Sequence, residues 1–171
     1  MTNHTSNSAQ KLVMQFHIMA FSIGIAALGL AFGTELFLRV IPCELCIYQR
    51  IPYIIIAICG VVGFFSRSCN IKHLCIAITA LAFLLGSILA FYHMGVERQW
   101  WSSTELCGGK LVDVSKTESL IQALSKKQKP VCSDVNVSFL GLSMATYNLF
   151  FSIPLTVIVA WFWRKVGAEK K

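Results

Sequence analysis

Two cysteines three residues apart, followed by an arginine, form the stretch of this sequence best suited to chemistry. The run PCELCIYQR places Cys43 and Cys46 in a CxxC pattern, with Arg50 four residues beyond the second cysteine. Such a pair can bind a metal, staple a turn or exchange disulfides with another thiol. A disulfide across so short a ring stabilises little by loop closure, so the spacing favours redox activity over a structural staple.

The position of the pair strengthens the redox interpretation. Cys46 is predicted at or just before the N-terminus of an apolar helix, where free N–H groups and partial positive charge favour a thiolate. If helix runs through the motif, Cys46 and Arg50 lie on one face. Arg50 is then a permanently charged donor that can stabilise a thiolate or bind a polar ligand head. Snorkelling to lipid headgroups is its alternative role.

Four long apolar stretches surround the motif and must position it. The chain has 171 residues, of which 56% are hydrophobic and only 13% charged, whereas soluble domains carry about a quarter charged residues. A helix of about 20 apolar residues crosses a bilayer. Such helices are predicted at residues 14–34, 47–66, 74–94 and 143–163. The expected fold class is an all-α membrane protein, a single four-transmembrane-helix bundle with extracytoplasmic loops at 35–46 and 95–142.

The net charge of +7 is distributed as a membrane topology signal. The side that holds both termini has seven basic residues and one acidic residue, whereas the long loop opposite has six basic and five acidic residues. The positive-inside rule therefore places both termini in the cytoplasm. This distribution gives no reason to predict a nucleic-acid partner.

The predicted topology also sorts the seven cysteines. Those on the outer, oxidising side are Cys43, Cys46, Cys107 and Cys132. An even set in that compartment favours disulfides, while the other three are interpreted as buried or reduced thiols. A zinc site built from the outer four is disfavoured because a second close-spaced pair is missing, and no metal is predicted. Cys107 and Cys132 could form either a structural staple or a second redox pair.

Taken together, these features resemble the disulfide bond formation protein B (DsbB) family of thiol:quinone oxidoreductases. PCELCIYQR is similar to the family's Pro-Cys-x-x-Cys-x-x-x-Arg run, and FYHMGVERQWW and FLGLSMATYN are similar to family segments at the third and fourth helices. The resemblance covers roughly residues 16–163, and Cys107 and Cys132 match the family's second cysteine pair in order and topology. Val137 and Ser138 stand where many relatives carry a tryptophan.

The resemblance implies a multi-pass enzyme of the bacterial inner membrane with periplasmic redox loops. It would reoxidise a soluble thioredoxin-fold dithiol oxidase, DsbA-like, and pass the electrons to membrane quinone, either ubiquinone or menaquinone. Cys107 would form the mixed disulfide with the partner, with Cys132 as its companion. Exchange would then reduce the Cys43–Cys46 disulfide, and Cys46 would face the quinone. The resting pairing of these four cysteines stays open.

Other polar residues near the helix ends receive weaker assignments. The resemblance implies quinone contacts for Arg50 and for His93, at the outer end of the third helix. Glu35 and Glu97 are interpreted as solvated surface charges, with proton release during thiol oxidation as the alternative. His17, in the first helix, is expected to have a structural or interfacial role.

Three other functions are compatible with parts of this sequence. A vitamin K epoxide reductase-like thiol oxidase is also a four-helix protein with a CxxC pair coupled to quinone, but that pair is expected near the fourth helix. A non-catalytic scaffold would use the outer cysteines only as staples. The third is a quinone- or haem-binding subunit. Haem would need paired histidines, and His17 and His93 lie near opposite membrane faces.

Overall fold

The computed structural model describes residues 2–101, 132–133 and 138–168. Its described helices and strands are α1 (Thr2–Leu38), α2 (Glu44–Tyr48), α3 (Arg50–Phe65), α4 (Cys69–Glu97), β1 (Ser138–Phe139), β2 (Leu142–Ser143) and α5 (Met144–Ala168). Cys107 and most of the predicted loop 95–142, including Val137, lie outside the described residues.

Four helical segments are long and apolar enough to cross a membrane. They are Gln10–Leu38, Glu44–Phe65, Cys69–Glu97 and Met144–Gly167, so α2 and α3 together form the second segment. Large apolar side chains on their outer surfaces are exposed, as expected where lipid replaces water. The protein is therefore an all-α membrane protein with four spanning helices, as the apolar pattern predicts.

The helices pack in the order α1, α3, α4, α5, each against the next. A buried cluster that includes Ile56, Ile76, Phe83 and Phe162 holds the centre of the bundle. The redox motif lies at one end of this bundle, where α2 meets the last turns of α4.

Small residues let α1 and α3 approach closely. A Cβ added to Gly60 would lie 2.7 Å from the backbone nitrogen of Phe21, and one added to Gly63 would clash with the ring of His17. Helix interfaces in membranes are enriched in such residues because they allow backbones to come together. His17 is fully buried there, which agrees with its expected structural role.

A break between α2 and α3 shapes the redox motif. Pro52 has no N–H to bond the carbonyl of Tyr48, four residues earlier, and α2 ends at that tyrosine. Gln49 forms the connecting turn with helical dihedral angles, φ −67° and ψ −15°. The motif therefore consists of one short helical turn followed directly by the spanning helix.

A tight β-hairpin precedes α5 and lies near the same end of the bundle. Ser138 pairs with Ser143 and Phe139 with Leu142, so two residues form the turn. Leu140 and Gly141 both have positive φ, 49° and 79°, as a type I′ turn requires. Ser143 then caps α5, because its Oγ accepts a hydrogen bond of 3.2 Å from the backbone nitrogen of Thr146.

Candidate redox site

Cys43 and Cys46 form a close sulfur pair at the start of α2. Their Sγ atoms lie 2.6 Å apart, so the pair can close to a disulfide without backbone movement. Cys43 is the N-cap of α2, and its Sγ accepts a hydrogen bond of 3.3 Å from the backbone nitrogen of Cys46. The sequence predicted Cys46 at this helix terminus, and the structure places both sulfurs there.

The two thiols of the pair are not equivalent. The pKa of Cys43 is raised, first because its thiol donates a hydrogen bond to the Cys46 sulfur and then because it is buried. In the reduced pair, Cys43 is therefore the thiol that holds its proton more strongly.

His93 reaches the pair from α4. Its Nε2 lies 3.6 Å from Cys43 Sγ, and its other ring nitrogen, Nδ1, lies 3.2 Å from Nε2 of Gln49. The ring is buried. The histidine implied by the family resemblance thus contacts the cysteine pair directly.

A chain of hydrogen bonds sets the proton position on His93. Tyr53 donates its hydroxyl to Asn148 Oδ1, and Asn148 Nδ2 donates to Gln49 Oε1 at 3.2 Å. Gln49 Nε2 is then directed at His93 Nδ1. Because an amide nitrogen only donates, Nδ1 accepts, and the proton of the neutral ring lies on Nε2, facing Cys43.

Sequence reasoning did not assign a function to Gln49, Asn148 or Tyr53. The available signal was that Gln49 lies within the cysteine motif and that Asn148 is a polar residue in an apolar span, where such residues mark functional sites. Asn148 is 99 residues from Gln49 in the chain. The pairing therefore depended on how α5 packs beside α3 and α4.

The same cluster also has the residue types of a metal site. Cys43, Cys46 and His93 offer ligand atoms that lie within 4.8 Å of one another. A metal, however, needs the lone pair of the nitrogen that faces it, and metal-ligating histidines hold their proton on the other nitrogen. The Gln49 hydrogen bond imposes the opposite arrangement, so the geometry favours a redox pair.

Arg50 has a carboxylate partner that the sequence did not predict. Its guanidinium forms an ion pair with Glu35 at the end of α1 and lies 4.8 Å from the ring centroid of Phe32. The effect of its charge on the Cys46 sulfur, expected from the spacing of four residues, stays a prediction. The interpretation of Glu35 as a solvated surface charge was therefore wrong, because α1 extends to Leu38 and brings this carboxylate to α3.

The Nε–H of Arg50 is available as a hydrogen-bond donor. Its Nε is buried and has no hydrogen-bond partner among the described residues. Its neighbours in the chain, Ile47, Tyr48 and Ile51, have exposed side chains. An apolar ring that carries carbonyl oxygens, as a quinone does, fits this combination of an unpaired buried donor and an apolar surround.

Glu97 is also buried, contrary to its interpretation as a surface charge. Its side chain is 8% exposed, and its Oε1 lies 3.7 Å from Nε2 of His93. Its Oε2 accepts a hydrogen bond from the Ser143 hydroxyl. Ser143 belongs to the hairpin before α5. Its contact with Glu97 explains why the carboxylate at the end of α4 is not exposed to solvent.

Cys132 joins the same site, although it lies far along the chain. It is 1% exposed and belongs to one buried cluster with Cys43, Leu45 and Val96. The structure therefore brings together Cys43, Cys46, His93 and Cys132. The predicted role of Cys107 as the partner-facing cysteine falls outside the described residues.

The arrangement can perform thiol–disulfide exchange. It contains a sulfur pair, a third cysteine near its buried member and a fixed N–H donor at the sulfur. Exchange requires an attacking thiolate, an accessible disulfide and a stabilised leaving thiolate. The Cys46 side is the more open of the two, since Cys43 is buried and Cys46 is not fully so.

Comparisons with known proteins agree with this chemistry. A family profile described as "Disulfide bond formation protein DsbB" matches residues 14–162. The chain is 31% identical over 150 residues to disulfide bond formation protein B of Dechloromonas aromatica, covering 84% of this chain and 87% of that protein. It is 30% identical over 154 residues to the same-named protein of Mannheimia succiniciproducens, covering 83% and 82%. An uncharacterized protein of Rickettsia prowazekii is 27% identical over 145 residues, covering 84% and 83%.

Proposed function

Because this chain belongs to the DsbB family, and is therefore a membrane disulfide bond formation protein, we propose that it reoxidises a DsbA-like thioredoxin-fold protein and transfers the electrons to membrane quinone. The observation that carries the proposal is the Cys43–Cys46 sulfur pair at a membrane end, with Cys132 in the same buried cluster. A structural staple needs none of the surrounding polar side chains.

The first exchange takes place at the outer pair. A thiolate of the partner attacks Cys107 of a Cys107–Cys132 disulfide, forms a mixed disulfide and releases Cys132 as a thiolate. The second thiolate of the partner then resolves the mixed disulfide, and the partner leaves oxidised. Each exchange forms one S–S bond and breaks one, so two electrons pass from the partner to this chain.

The second exchange moves the electrons to the membrane edge. The Cys132 thiolate attacks Cys43, its neighbour in the buried cluster, and the Cys43–Cys46 bond breaks. Cys46 leaves as a thiolate, favoured by the first turn of α2 and by the charge of Arg50. Cys107 then regenerates the Cys107–Cys132 disulfide by attacking Cys132, and Cys43 receives the proton that its raised pKa retains.

Arg50 and His93 are the residues that would hold the quinone. The unpaired Nε of Arg50 offers a hydrogen bond to a carbonyl oxygen, and His93 keeps its Nε2 proton beside the sulfurs. When bound, quinone supplies the electron sink, since its reduction to quinol takes up two electrons and two protons. The protein orients the ring and excludes water, while the redox chemistry belongs to the cofactor.

The proposal includes a location and an orientation. The chain would lie in the bacterial inner membrane with both termini in the cytoplasm and the cysteine pairs on the periplasmic side. The distribution of basic residues supports this orientation. The oxidising periplasm is also where disulfides persist.

Quinone reduction by a thiol partner tests the proposal. Purified protein, mixed with a reduced thioredoxin-fold dithiol oxidase and ubiquinone, is expected to reduce the quinone, as followed by its ultraviolet absorbance. Cys46→Ala should abolish turnover because the sulfur that faces the quinone is missing. Cys69→Ala, which changes an exposed cysteine at the opposite end of α4, is the matched control and should keep the wild-type rate.

Two results would contradict this function. A Cys46→Ala protein that reduced quinone at the normal rate would remove the redox assignment. A wild-type protein that reduced no quinone with partner present would instead favour a disulfide-stapled scaffold.

A further inference from the structure

Glu97 is a buried carboxylate that the proposed electron path does not use. It ends α4, one helical turn after His93, and it faces two donors. The Ser143 hydroxyl donates to Oε2, and the protonated Nε2 of His93 lies 3.7 Å from Oε1. Each carboxylate oxygen therefore faces a donor, and an ionised carboxylate can accept at both oxygens.

The single N–H of His93 has two possible acceptors. Cys43 Sγ lies 3.6 Å from Nε2, and Glu97 Oε1 lies 3.7 Å from the same atom. The Nδ1 side of the ring is occupied by the Gln49 donor, so the ring cannot satisfy both acceptors by moving its proton. The carboxylate therefore competes with the sulfur pair for this donor.

The carboxylate also acts on the pair through its charge. Glu97 Oε1 lies 3.7 Å from the same His93 nitrogen that lies 3.6 Å from Cys43 Sγ, and a negative charge disfavours a second one nearby. Arg50 acts on Cys46 in the opposite direction, and Arg98, at the end of α4, partly offsets the Glu97 charge. The charge of Arg50 therefore favours a thiolate on Cys46, and the charge of Glu97 disfavours it.

We propose that Glu97 is a positioning residue that sets the redox potential of the Cys43–Cys46 pair. The Glu97 charge destabilises the reduced, thiolate-bearing form of the pair. Competition between Glu97 and the pair for the His93 N–H destabilises it further. A dithiol whose reduced form is destabilised is a stronger reductant. Glu97 thereby promotes release of electrons from the Cys43–Cys46 pair to the quinone. This inference rests on the proposed function, because the quinone is the electron acceptor named there. The redox potential of the pair, however, can be measured without quinone.

Glu97→Gln separates charge from shape. The amide has nearly the same volume and can still accept a hydrogen bond from His93, but it carries no charge. The full-length protein is equilibrated with glutathione redox buffers without quinone or partner, and the Cys43–Cys46 peptide is quantified by alkylation and mass spectrometry. We expect the equilibrium constant to shift about tenfold toward the reduced pair, which corresponds to about 30 mV for a two-electron couple.

A second readout follows the thiolate itself. In the reduced protein, the alkylation rate of Cys46 should reach half its maximum at a lower pH in Glu97→Gln than in wild type. Glu97→Asp keeps the charge but moves it one methylene away, so both shifts should be in the same direction and smaller. If Glu97→Gln does not fold into stable protein, Glu97→Asp tests the effect of the charge in its place.

The outcome that would overturn the proposal is specific. If Glu97→Gln, or Glu97→Asp in its place, matches wild type in both the glutathione equilibrium and the alkylation profile, the charge has no role and Glu97 only packs against His93. Neither readout needs quinone or a partner protein. Failure of this inference is therefore distinguishable from failure of the proposed function, which appears as absent quinone reduction.

Discussion

Arg50 shows how one side chain in this site combines two roles. One terminal nitrogen, Nη2, forms the ion pair with Glu35, while its Nε has no partner among the described residues. The sequence predicted a cation beside a thiolate. Only the folded chain reveals that the cation is already paired and that one specific donor is available for a ligand.

Arg50→Lys tests the role of that donor. Lysine keeps the positive charge and can still pair with Glu35, but it has no equivalent of Nε. We expect the KM for quinone to rise by about 10- to 100-fold, since a hydrogen bond that involves a charged group contributes about 1.5–3 kcal/mol. The KM for the thiol partner should stay at its wild-type value in steady-state assays.

Arg98→Lys is the matched control for this substitution. Arg98 is an exposed arginine at the end of α4, and its replacement should change neither constant. Equal increases in both KM values for Arg50→Lys would argue for a general disturbance of the site and against a quinone-specific donor.

At the scale of elements, the site depends on how closely helices approach. α1 must lie tightly against α3 for Glu35 to reach Arg50, and glycines at the interface allow this. Gly60 is in direct contact with the α1 backbone, whereas an added Cβ at Gly29 would meet nothing within 4 Å. Substitutions at Gly60 and Gly29 therefore distinguish the effect of helix packing from the general effect of replacing glycine in a helix.

Gly60→Ala is expected to destabilise the protein by about 1–3 kcal/mol, the usual range for overpacking. The added methyl would lie 2.7 Å from backbone that cannot move independently of the helix. Gly29→Ala should instead be neutral or slightly stabilising, because alanine favours helix. The free energy of unfolding, measured by denaturing-detergent titration in micelles, checks both. Similar values for the two variants would show that the α1–α3 contact is not tight.

The elements also explain which site residues the sequence could predict. The CxxC pair, Arg50 and the apolar spans are local patterns, and each follows from spacing alone. The burial of Glu97 required a hairpin 46 residues further along the chain, which donates through Ser143. Long-range contacts of this kind have no signature in periodicity, which is why Glu97 was interpreted as a surface charge.

At the scale of the whole molecule, the length of α4 places Cys69 and the redox site at opposite ends of the helix bundle. Cys69 begins α4 and Glu97 ends it, so the two lie about 42 Å apart at 1.5 Å per residue. That length exceeds the hydrocarbon thickness of a bilayer, about 30 Å. Cys69 and the redox site therefore belong to opposite faces of the membrane.

Labelling of Cys69 tests the proposed orientation. A membrane-impermeant maleimide should label this exposed cysteine in inverted inner-membrane vesicles and leave it unlabelled in intact spheroplasts. Cys69→Ser provides the background from the other cysteines. Strong labelling of Cys69 in spheroplasts would instead place the redox site on the cytoplasmic side, where a periplasmic partner could not reach it.

The sequence by itself determined the membrane fold and the redox chemistry. A bilayer leaves the backbone no partner but itself, so long apolar stretches must be helices whatever their neighbours are. The CxxC spacing likewise brings two sulfurs together within one turn.

Only the tertiary structure decided which polar side chains surround the sulfurs and how these side chains are oriented. The orientation of His93 depends on Gln49, Asn148 and Tyr53, which come together from separate helices. The partners of Arg50 and Glu97 also come from other elements. Such contacts arise from the packing of whole helices, and a buried polar group must find its partner wherever that packing places one.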